Sequence, residues 1–489
     1  MSGIKKKFAA GSLWLFIGQN FSNLASFIIF AVLARILGPL DFGIVAFASV
    51  FIDLSRSLAL AGLPTALISA SEWDEDTAST AFWGNVGFSI ILAILVGGGG
   101  GYVLREYYGN ELQWVISALS ACLILDALRA THEAKLQREF QFKELAKRSA
   151  LATSGAGVVG VILAFAGFGV WALVINRIAN SAIQTIIIWH ATPWSPHLVF
   201  RRKKFLEMFI FGMHLSTATV IGQVNRQVPE LIAGLLISPV AVGYFRIASR
   251  MVNMLYDLTT TPLRRTAIAS FSRLKDTAAR VRGYRTVTRA IALAAFPMFF
   301  GVAALADDLV VLVVGEKWAQ SAFIMSMLAL VGGIASVSFF VQPLLATDGQ
   351  ARTGAINSLQ ILLANILVCL ITAPFGITAL AIGFAIRAYL GVIPTLLLLQ
   401  RSVGLPPSKV VKDIFPSFLC AAVMILVILT VHVYVLMDYS RLVRLVILVP
   451  LGAIAYTSML AIFFRTFLRE IWRDLEPLLS PALQRLTKR

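Results

Sequence analysis

The chain has 489 residues, of which 58% are hydrophobic and 14% are charged, and its mean hydropathy is +0.82. Soluble domains usually carry about 25% charged residues, so this composition excludes a soluble globular protein and indicates an integral membrane protein. The formal net charge of +17 would suit a nucleic-acid partner, so the placement of the basic residues decides what that charge means.

Most basic residues fall in loops on one side of the predicted membrane if the N-terminus is cytoplasmic. The assigned inner loops hold about thirty of them and the outer loops about six, which is the positive-inside pattern. Orientation therefore explains the charge, and we expect cytoplasmic N- and C-termini and no nucleic-acid partner. The main inner clusters are Lys5 to Lys7, Lys135 to Arg148, Arg201 to Lys204, Arg264 to Arg289 and Arg465 to Arg489.

Apolar runs of about 20 residues recur from end to end, and each is long enough to cross a hydrocarbon core about 30 Å thick as a helix. We predict an all-α integral membrane protein with about 14 transmembrane helices. The first run is longer than a signal-peptide core and should be retained as a helix. In chain order the runs are 11–33, 42–69, 81–104, 112–131, 149–167, 170–190, 205–236, 240–261, four within 287–399, 414–436 and 442–464.

The third run ends in five glycines, Gly97 to Gly101. Glycine lacks a β-carbon and adopts backbone conformations that other residues avoid. This segment should therefore loosen the outer end of its helix or let another backbone approach closely.

The chain contains an internal repeat. The turn at Gly38-Pro39 recurs 200 residues later at Ser238-Pro239, and Gly43 has its counterpart in Gly243. An even number of helices per half makes the repeats parallel, so we predict two six-helix bundles related by a pseudo-two-fold axis along the membrane normal. The expected domains are residues 1–197 (N-terminal bundle), 198–405 (C-terminal bundle) and 406–489 (two extra transmembrane helices and a basic cytoplasmic tail).

Charged and amide side chains interrupt several of these apolar helices in stripes. An arginine at mid-membrane costs about 2.5 to 3.5 kcal/mol, so several together indicate a shared aqueous cavity between the halves. Guanidinium groups in such a cavity would suit an anion, because they bind phosphate oxygens in pairs. The sixth helix adds Arg177, Asn180 and Gln184 to these stripes. The candidate substrate-binding residues are Gln19, Asn23, Arg35, Asp53, Arg56, Arg246, Arg250 and Asn253.

Neighbouring carboxylates offer an alternative role for these arginines. Asp126 and Arg129 are three residues apart and could pair on their own helix, joining helices together, and we favour that interpretation for them. Asp53 and Arg56 have the same spacing, yet the repeat favours the cavity interpretation for Arg56 and Arg250. Arg246 could instead extend to the membrane surface, and Arg35 could cap the first helix.

No residue pattern indicates catalysis or a bound metal. The five histidines are scattered. Asp74-Glu75-Asp76 has the D-x-D form of a sugar-nucleotide metal site, but it lies in a short loop with no α/β domain to hold a nucleotide. We therefore expect no cofactor, no metal site and no enzymatic activity.

Several motifs, taken in order, resemble those of Wzx-type polysaccharide flippases. These proteins form the lipopolysaccharide and exopolysaccharide exporter branch of the MOP superfamily, which also contains lipid II flippases and multidrug extruders. The resemblance covers about residues 9–351. The motifs are A-R-I-L-G-P-x-D-F-G at Ala34 to Gly43, L-Q-R-E-F-x-F-K at Leu136 to Lys143, G-x-G-V-W-A-L-V at Gly167 to Val174, V-G-Y-F-R-I-A-S-R at Val242 to Arg250 and G-E-K-W at Gly315 to Trp318.

This resemblance implies a multi-pass protein of the bacterial inner membrane that works by alternating access. The implied substrate is an undecaprenyl-diphosphate-linked oligosaccharide repeat unit, moved from the cytoplasmic to the periplasmic leaflet among membrane lipids. A polysaccharide polymerase and co-polymerase are candidate partners. The cavity arginines of the lipid II branch fall on Arg35, Arg56 and Arg250 here. A further arginine of that branch, early in its first helix, has no counterpart, since Gln19 and Asn23 occupy that region.

Two other functions fit a membrane protein of this size. A multidrug extruder of the same superfamily would be expected to expose unpaired acids to cationic drugs, whereas arginines predominate in these helices. A polysaccharide polymerase or ligase would need a long outer loop for its catalytic residues, and the longest outer loop, about residues 307–321, is too short. For a flippase, two energy sources fit the sequence. One is the membrane potential, and the other is a proton gradient, with protons carried by Asp53, Asp257 or Glu230.

Overall fold

The computed structural model describes residues 2–60, 62–70, 72–271, 274, 276–471 and 473, without the side chains of 2–17, 107, 214–215, 218–219 and 261–270. Within these residues every regular element is a helix, as the sequence predicts. The chain divides into two compact units, residues 1–246 and 247–489, and the boundary falls inside one long helix.

The first unit contains eight α-helices and the beginning of a ninth. Helix α1 packs along α6, where Gly18 and Gly157 leave room for Ala146 and Ile29 on the opposite helix. Helix α5 packs against α2, α4 and α7. The helices are α1 (Ser2–Ile36), α2 (Pro39–Ala59), α3 (Leu63–Ser69), α4 (Glu75–Ile94), α5 (Gly101–Arg138), α6 (Phe142–Phe165), α7 (Val170–Ala191), α8 (Arg202–Leu236) and α9 (Pro239–Phe271).

The single helix predicted over 42–69 is divided, which corrects that expectation. Helix α2 ends at Ala59, α3 begins at Leu63, and Gly62 between them has φ of +106°, a conformation that favours glycine. A β-carbon on Gly62 would lie 2.3 Å from the backbone of Gly212 in α8. The break therefore lets α8 approach at backbone distance, which the continuous apolar pattern does not reveal.

The glycine run behaves as predicted. Residues Leu95–Gly100 form a π-helical turn between α4 and α5. The Ser117 hydroxyl donates to the Gly97 carbonyl at 2.6 Å, and a β-carbon on Gly97 would lie 2.6 Å from the Ser120 hydroxyl oxygen. A second break lies at Gly109, with φ of +82°, near the beginning of the spanning segment Tyr108–Arg138 and just after the segment Glu75–Glu106. The predicted basic loop at 136–148 is mostly helical, since α5 runs to Arg138 and α6 begins at Phe142.

The second unit continues α9 and adds nine α-helices. An apolar cluster joins α10 to α17 and α18 through Phe296, Phe300, Met424 and Tyr456. The helices are α10 (Thr277–Ala304), α11 (Ala306–Val314), α12 (Gln320–Ser338), α13 (Val341–Thr347), α14 (Ala351–Thr372), α15 (Ile377–Leu390), α16 (Val392–Val403), α17 (Pro407–Tyr434) and α18 (Arg441–Phe463).

Twelve helical segments among the described residues are long and apolar enough to cross a membrane. They match twelve of the predicted runs in order, and α3, α13 and α16 extend the segments of α2, α12 and α15. Helices α8 and α9 correspond to the two remaining runs and have 35 and 33 residues, or about 50 Å at 1.5 Å per residue. The total of 14 stays a prediction.

Candidate functional site

Charged side chains from three helices of the first unit meet within the spanning region. Helix α2 contributes Asp53 and Arg56, α5 contributes Asp126 and Arg129, and α7 contributes Arg177. Residues three apart share one face of a helix, and α5 packs against both α2 and α7, so the three faces converge. We call these five residues the charge cluster.

The carboxylate of Asp53 is held mainly by Arg177. One guanidinium nitrogen of Arg177 lies 2.5 Å from Asp53 Oδ1, and another donates to the Ser49 hydroxyl at 2.5 Å. Arg56 approaches the same Asp53 oxygen only to 3.4 Å. Charge-assisted hydrogen bonds are typically about 2.7 to 2.9 Å long, so Arg177 is the principal partner of Asp53.

The second carboxylate, Asp126, is held mainly by Arg129 on its own helix. Arg129 Nη2 lies 2.9 Å from Asp126 Oδ1, and the Ser181 hydroxyl donates to the same oxygen at 3.1 Å. Arg56 Nη1 reaches the other oxygen at 3.5 Å. The predicted Asp126–Arg129 pair is thus confirmed, and the structure shows in addition that it belongs to the charge cluster.

Amide side chains extend the cluster along α7. Arg129 also donates to the side-chain oxygen of Gln184. The Gln184 amide nitrogen in turn donates to Asn180 Oδ1 at 2.6 Å. The stripe of Arg177, Asn180 and Gln184 recognised in the sequence therefore contacts α2 through Arg177 and α5 through Gln184. Arg129 and Arg177 are cluster members that were missing from the predicted set of binding residues.

Arg56 differs from the other two arginines of the cluster. It contacts both carboxylates, each at a long distance, and 39% of its side chain is exposed, against 27% for Arg177 and 14% for Arg129. Three guanidinium groups face two carboxylates, so the charge cluster carries one net positive charge. An oxyanion could bind the outward N–H groups of Arg56 while the closer Arg177–Asp53 and Arg129–Asp126 contacts remain intact.

This geometry modifies the expectation for Arg56. Arg56 contacts carboxylates on its own helix and on an adjacent helix, as the carboxylate-pairing alternative expects, and 39% of its side chain is exposed. Its place in a substrate cavity stays a prediction. Arg246 has an acidic partner within the first unit. Its guanidinium lies 2.6 Å from Glu230, which is buried, and donates to the Ala46 carbonyl at 3.2 Å.

The other predicted binding residues lie elsewhere. Gln19 donates to Asn23 at 3.0 Å along α1. Arg35 is exposed in the last turn of α1. In the second unit, Arg250 is half-buried and Asn253 is exposed, three residues apart on α9.

The acidic segment Asp74-Glu75-Asp76 binds basic residues of the same unit. Asp74 lies 2.7 Å from Lys204, Asp76 pairs with Arg201, and Glu75 lies 3.8 Å from Lys135. The hydrogen bonds from Lys204 and Thr77 lower the pKa of Asp74 to about 2. This segment therefore fastens the linker between α7 and α8 to the beginning of α4, which gives its D-x-D pattern a structural role.

The sequence matches a protein family and is similar to characterised proteins of polysaccharide biosynthesis. Residues 32–323 match the sequence profile of a family described as "Polysaccharide biosynthesis protein". The chain is 22% identical over 343 residues to the succinoglycan biosynthesis transport protein ExoT of Rhizobium meliloti, covering 69% of this chain and 68% of that one. It is 23% identical over 354 residues to the lipopolysaccharide biosynthesis protein WzxC of Escherichia coli, covering 68% of each.

Solved structures show a related fold. The lipid II flippase MurJ in an inward closed conformation superposes with a TM-score of 0.73 at 17% identity, over 93% of this chain and all of that one. An inward-facing multidrug transporter of the MATE family superposes with a TM-score of 0.56 at 16% identity, over 81% of this chain and 96% of the other. The chain therefore has a MOP-type membrane fold.

Proposed function

We propose, from the premise that this chain belongs to the polysaccharide biosynthesis protein family, that it is a flippase for lipid-linked saccharides. The name of one relative, a succinoglycan biosynthesis transport protein, supports transport as the activity and not catalysis. The observation that carries the proposal is the position of Arg56. Its guanidinium is partly exposed and lies beside two carboxylates in the spanning region.

The proposed substrate is an undecaprenyl-diphosphate-linked oligosaccharide repeat unit, moved from the cytoplasmic to the periplasmic leaflet of the bacterial inner membrane. Its diphosphate presents paired oxygens that match the planar donors of Arg56. We retain Gln19, Asn23, Arg35, Asp53, Arg246, Arg250 and Asn253 as further proposed contacts for the headgroup. A polysaccharide polymerase and co-polymerase remain proposed partners.

The proposed architecture has 14 spanning helices with both termini in the cytoplasm. Two six-helix bundles, residues 1–197 and 198–405, would be related by a pseudo-two-fold axis, followed by two further helices. The repeated turns at Pro39 and Pro239 support this arrangement. Alternating access would then follow from movement of one repeat against the other.

The decisive experiment replaces Arg56 and leaves a surface arginine as control. Arg56→Gln should reduce polysaccharide export and the affinity of the purified protein for undecaprenyl diphosphate by about tenfold or more, because a hydrogen bond to a charged group is worth about 1.5 to 3 kcal/mol. Arg352→Gln, at an exposed position on α14, should change neither. Normal export by a well-inserted Arg56→Gln protein would refute the role of Arg56.

The same strains test the competing transport function. Net positive charge in the cluster disfavours cationic drugs, so deletion of the gene should abolish polysaccharide export and leave drug susceptibility unchanged. Sensitisation to cationic drugs with intact export would favour a multidrug extruder.

A further inference from the structure

An arginine of the second unit lies at the middle of a spanning segment. Arg387 is on α15, which continues through α16 as the segment Ile377–Val403. At 1.5 Å per residue it lies about 15 Å from the beginning of that segment, which is half of a hydrocarbon core about 30 Å thick. Its side chain is half-buried. Neither the polar stripes nor the motifs of the sequence had identified it.

The contacts of Arg387 differ from those of the charge cluster. Its guanidinium donates to the Ile361 carbonyl of α14 at 3.1 Å, and none of the described carboxylates lies within 4.0 Å of it. The sequence explains this, because the whole stretch from Gly349 to Lys412 contains no aspartate or glutamate. One neutral carbonyl leaves the positive charge uncompensated, and a buried charge without compensation is expensive.

A second internal repeat relates Arg387 to the charge cluster. The pattern F-G-[V/I]-x-A-L-x-I occurs at Phe168 to Ile175 and again at Phe375 to Ile382. Both glycines, Gly169 and Gly376, precede the first residue of their helix with positive φ, +53° and +95°. The backbone thus reproduces the repeat found in the sequence.

This register places Arg387 on the position of Asn180. In the first unit Asn180 accepts from Gln184, which in turn binds Arg129 of the charge cluster. Asn180 is also one turn from Arg177 and on the same face of α7. Arg387 therefore occupies, in its own bundle, the face of the helix that bears the charge cluster in the first.

Helix α14 supplies further polar groups beside Arg387. Asn357 and Asn365 lie four residues on either side of Ile361, so the three share one face of the helix. Both asparagines are buried, at 7% and 1% exposure. An arginine, the carbonyl it binds and two amides of the carbonyl's helix face thus belong to one spanning helix pair, and no carboxylate of the described residues lies within 4.0 Å of the guanidinium.

We propose that Arg387 is a second binding residue for an oxyanion of the translocated molecule. The proposal rests on the flippase function above and adds a contact in the second unit. A guanidinium binds phosphate and carboxylate oxygens alike, so the anion is either the lipid diphosphate or an acidic sugar of the repeat unit.

The test measures binding to the purified full-length chain in nanodiscs, with two probes. Undecaprenyl diphosphate carries the phosphate, and glucuronate oligosaccharide carries the carboxylate. Arg387→Gln should weaken binding of at least one probe about tenfold, and the probe affected identifies the anion. Arg387→Lys keeps the charge but loses the planar arrangement of guanidinium donors. This variant should fold, and its affinity for the probe should fall three- to tenfold. Arg352→Gln should leave both affinities unchanged.

Two results would overturn the inference. Arg387 variants that bind both probes normally but melt at a lower temperature would show that Arg387 only joins α15 to α14. Variants that bind both probes normally but no longer retain phosphatidylglycerol, measured as a third ligand in the same nanodiscs, would show a site for surrounding lipid. If wild type binds neither probe, the flippase function itself fails. If Arg56→Gln weakens binding and Arg387→Gln does not, only the role of Arg387 fails.

Discussion

Gly43 lies directly against the carbonyl of Pro239, so that a β-carbon on Gly43 would be 2.0 Å from that oxygen. The relationship is reciprocal, since a β-carbon on Gly243 would lie 2.4 Å from the Pro39 carbonyl oxygen. The two turns that the sequence identifies as copies of each other therefore contact each other. In each turn the glycine four residues after the proline packs against the proline carbonyl of the other turn. Helices α2 and α9 begin at this contact.

Replacing Gly43 tests how much the protein depends on this contact. Gly43→Ala forces the two backbones apart, and overpacking of this kind costs about 1 to 3 kcal/mol. We expect a lower melting temperature in a fluorescence-detected thermal assay, with reduced export. Gly222→Ala provides the control, because the space around Gly222 is open to 4 Å and its helix tolerates alanine. Equal melting of both variants would contradict the prediction.

The Asp53–Arg177 contact should contribute both stability and activity. Asp53→Ala leaves Arg177 without its principal partner, and breaking a buried pair in this way costs about 3 to 5 kcal/mol. The double variant Asp53→Asn with Arg177→Gln removes both charges and should recover much of that stability. Export should stay low in the double variant if the cluster binds substrate. Full export there would show that the pair is only structural.

The contact of Asp74 with Lys204, in the first turn of α8, should be insensitive to pH over the physiological range. The pKa of Asp74 is lowered from 3.8 to about 2, so its contribution is fully present above about pH 4 and is lost as the pH falls through 2. Asp74→Asn should therefore expose the basic segment Arg201 to Lys204 to trypsin at pH 8, with cleavage several times faster than in wild type. In the control variant Glu72→Gln, at an exposed neighbouring position, trypsin should cleave the segment at the wild-type rate.

In the second unit, Asp413 should be a major stabilising residue. It is 2% exposed and binds Arg285 at 2.6 and 2.9 Å and Arg289 at 2.6 Å, joining α10 to α17. Asp413→Asn removes the buried carboxylate charge that Arg285 and Arg289 share, so we expect a loss of about 3 to 5 kcal/mol in unfolding free energy. Exposed Asp438→Asn should melt as wild type does. Export per folded molecule should change in neither variant.

One helix, one helix break and one arginine show which features of the structure the sequence predicts and which it does not. Apolar runs predicted α7 at 170–190 against Val170–Ala191 observed, because a spanning helix needs a long uninterrupted apolar stretch. The same rule failed over 42–69, where apolar residues continue through the break at Gly62. Arg387 went unnoticed because an arginine without nearby polar residues on its own helix gives no stripe.

The sequence by itself determined the membrane setting, the twelve matched spans and the repeated turns, since hydropathy and local backbone chemistry are encoded in neighbouring residues. Only the tertiary structure decided which charges meet. Asp126 pairs with Arg129 as its spacing predicts, but Asp53 pairs chiefly with Arg177 on another helix, although Arg56 is closer in sequence. Partner choice inside a bundle depends on which helix faces converge, because an electrostatic contact follows distance in space and not separation along the chain.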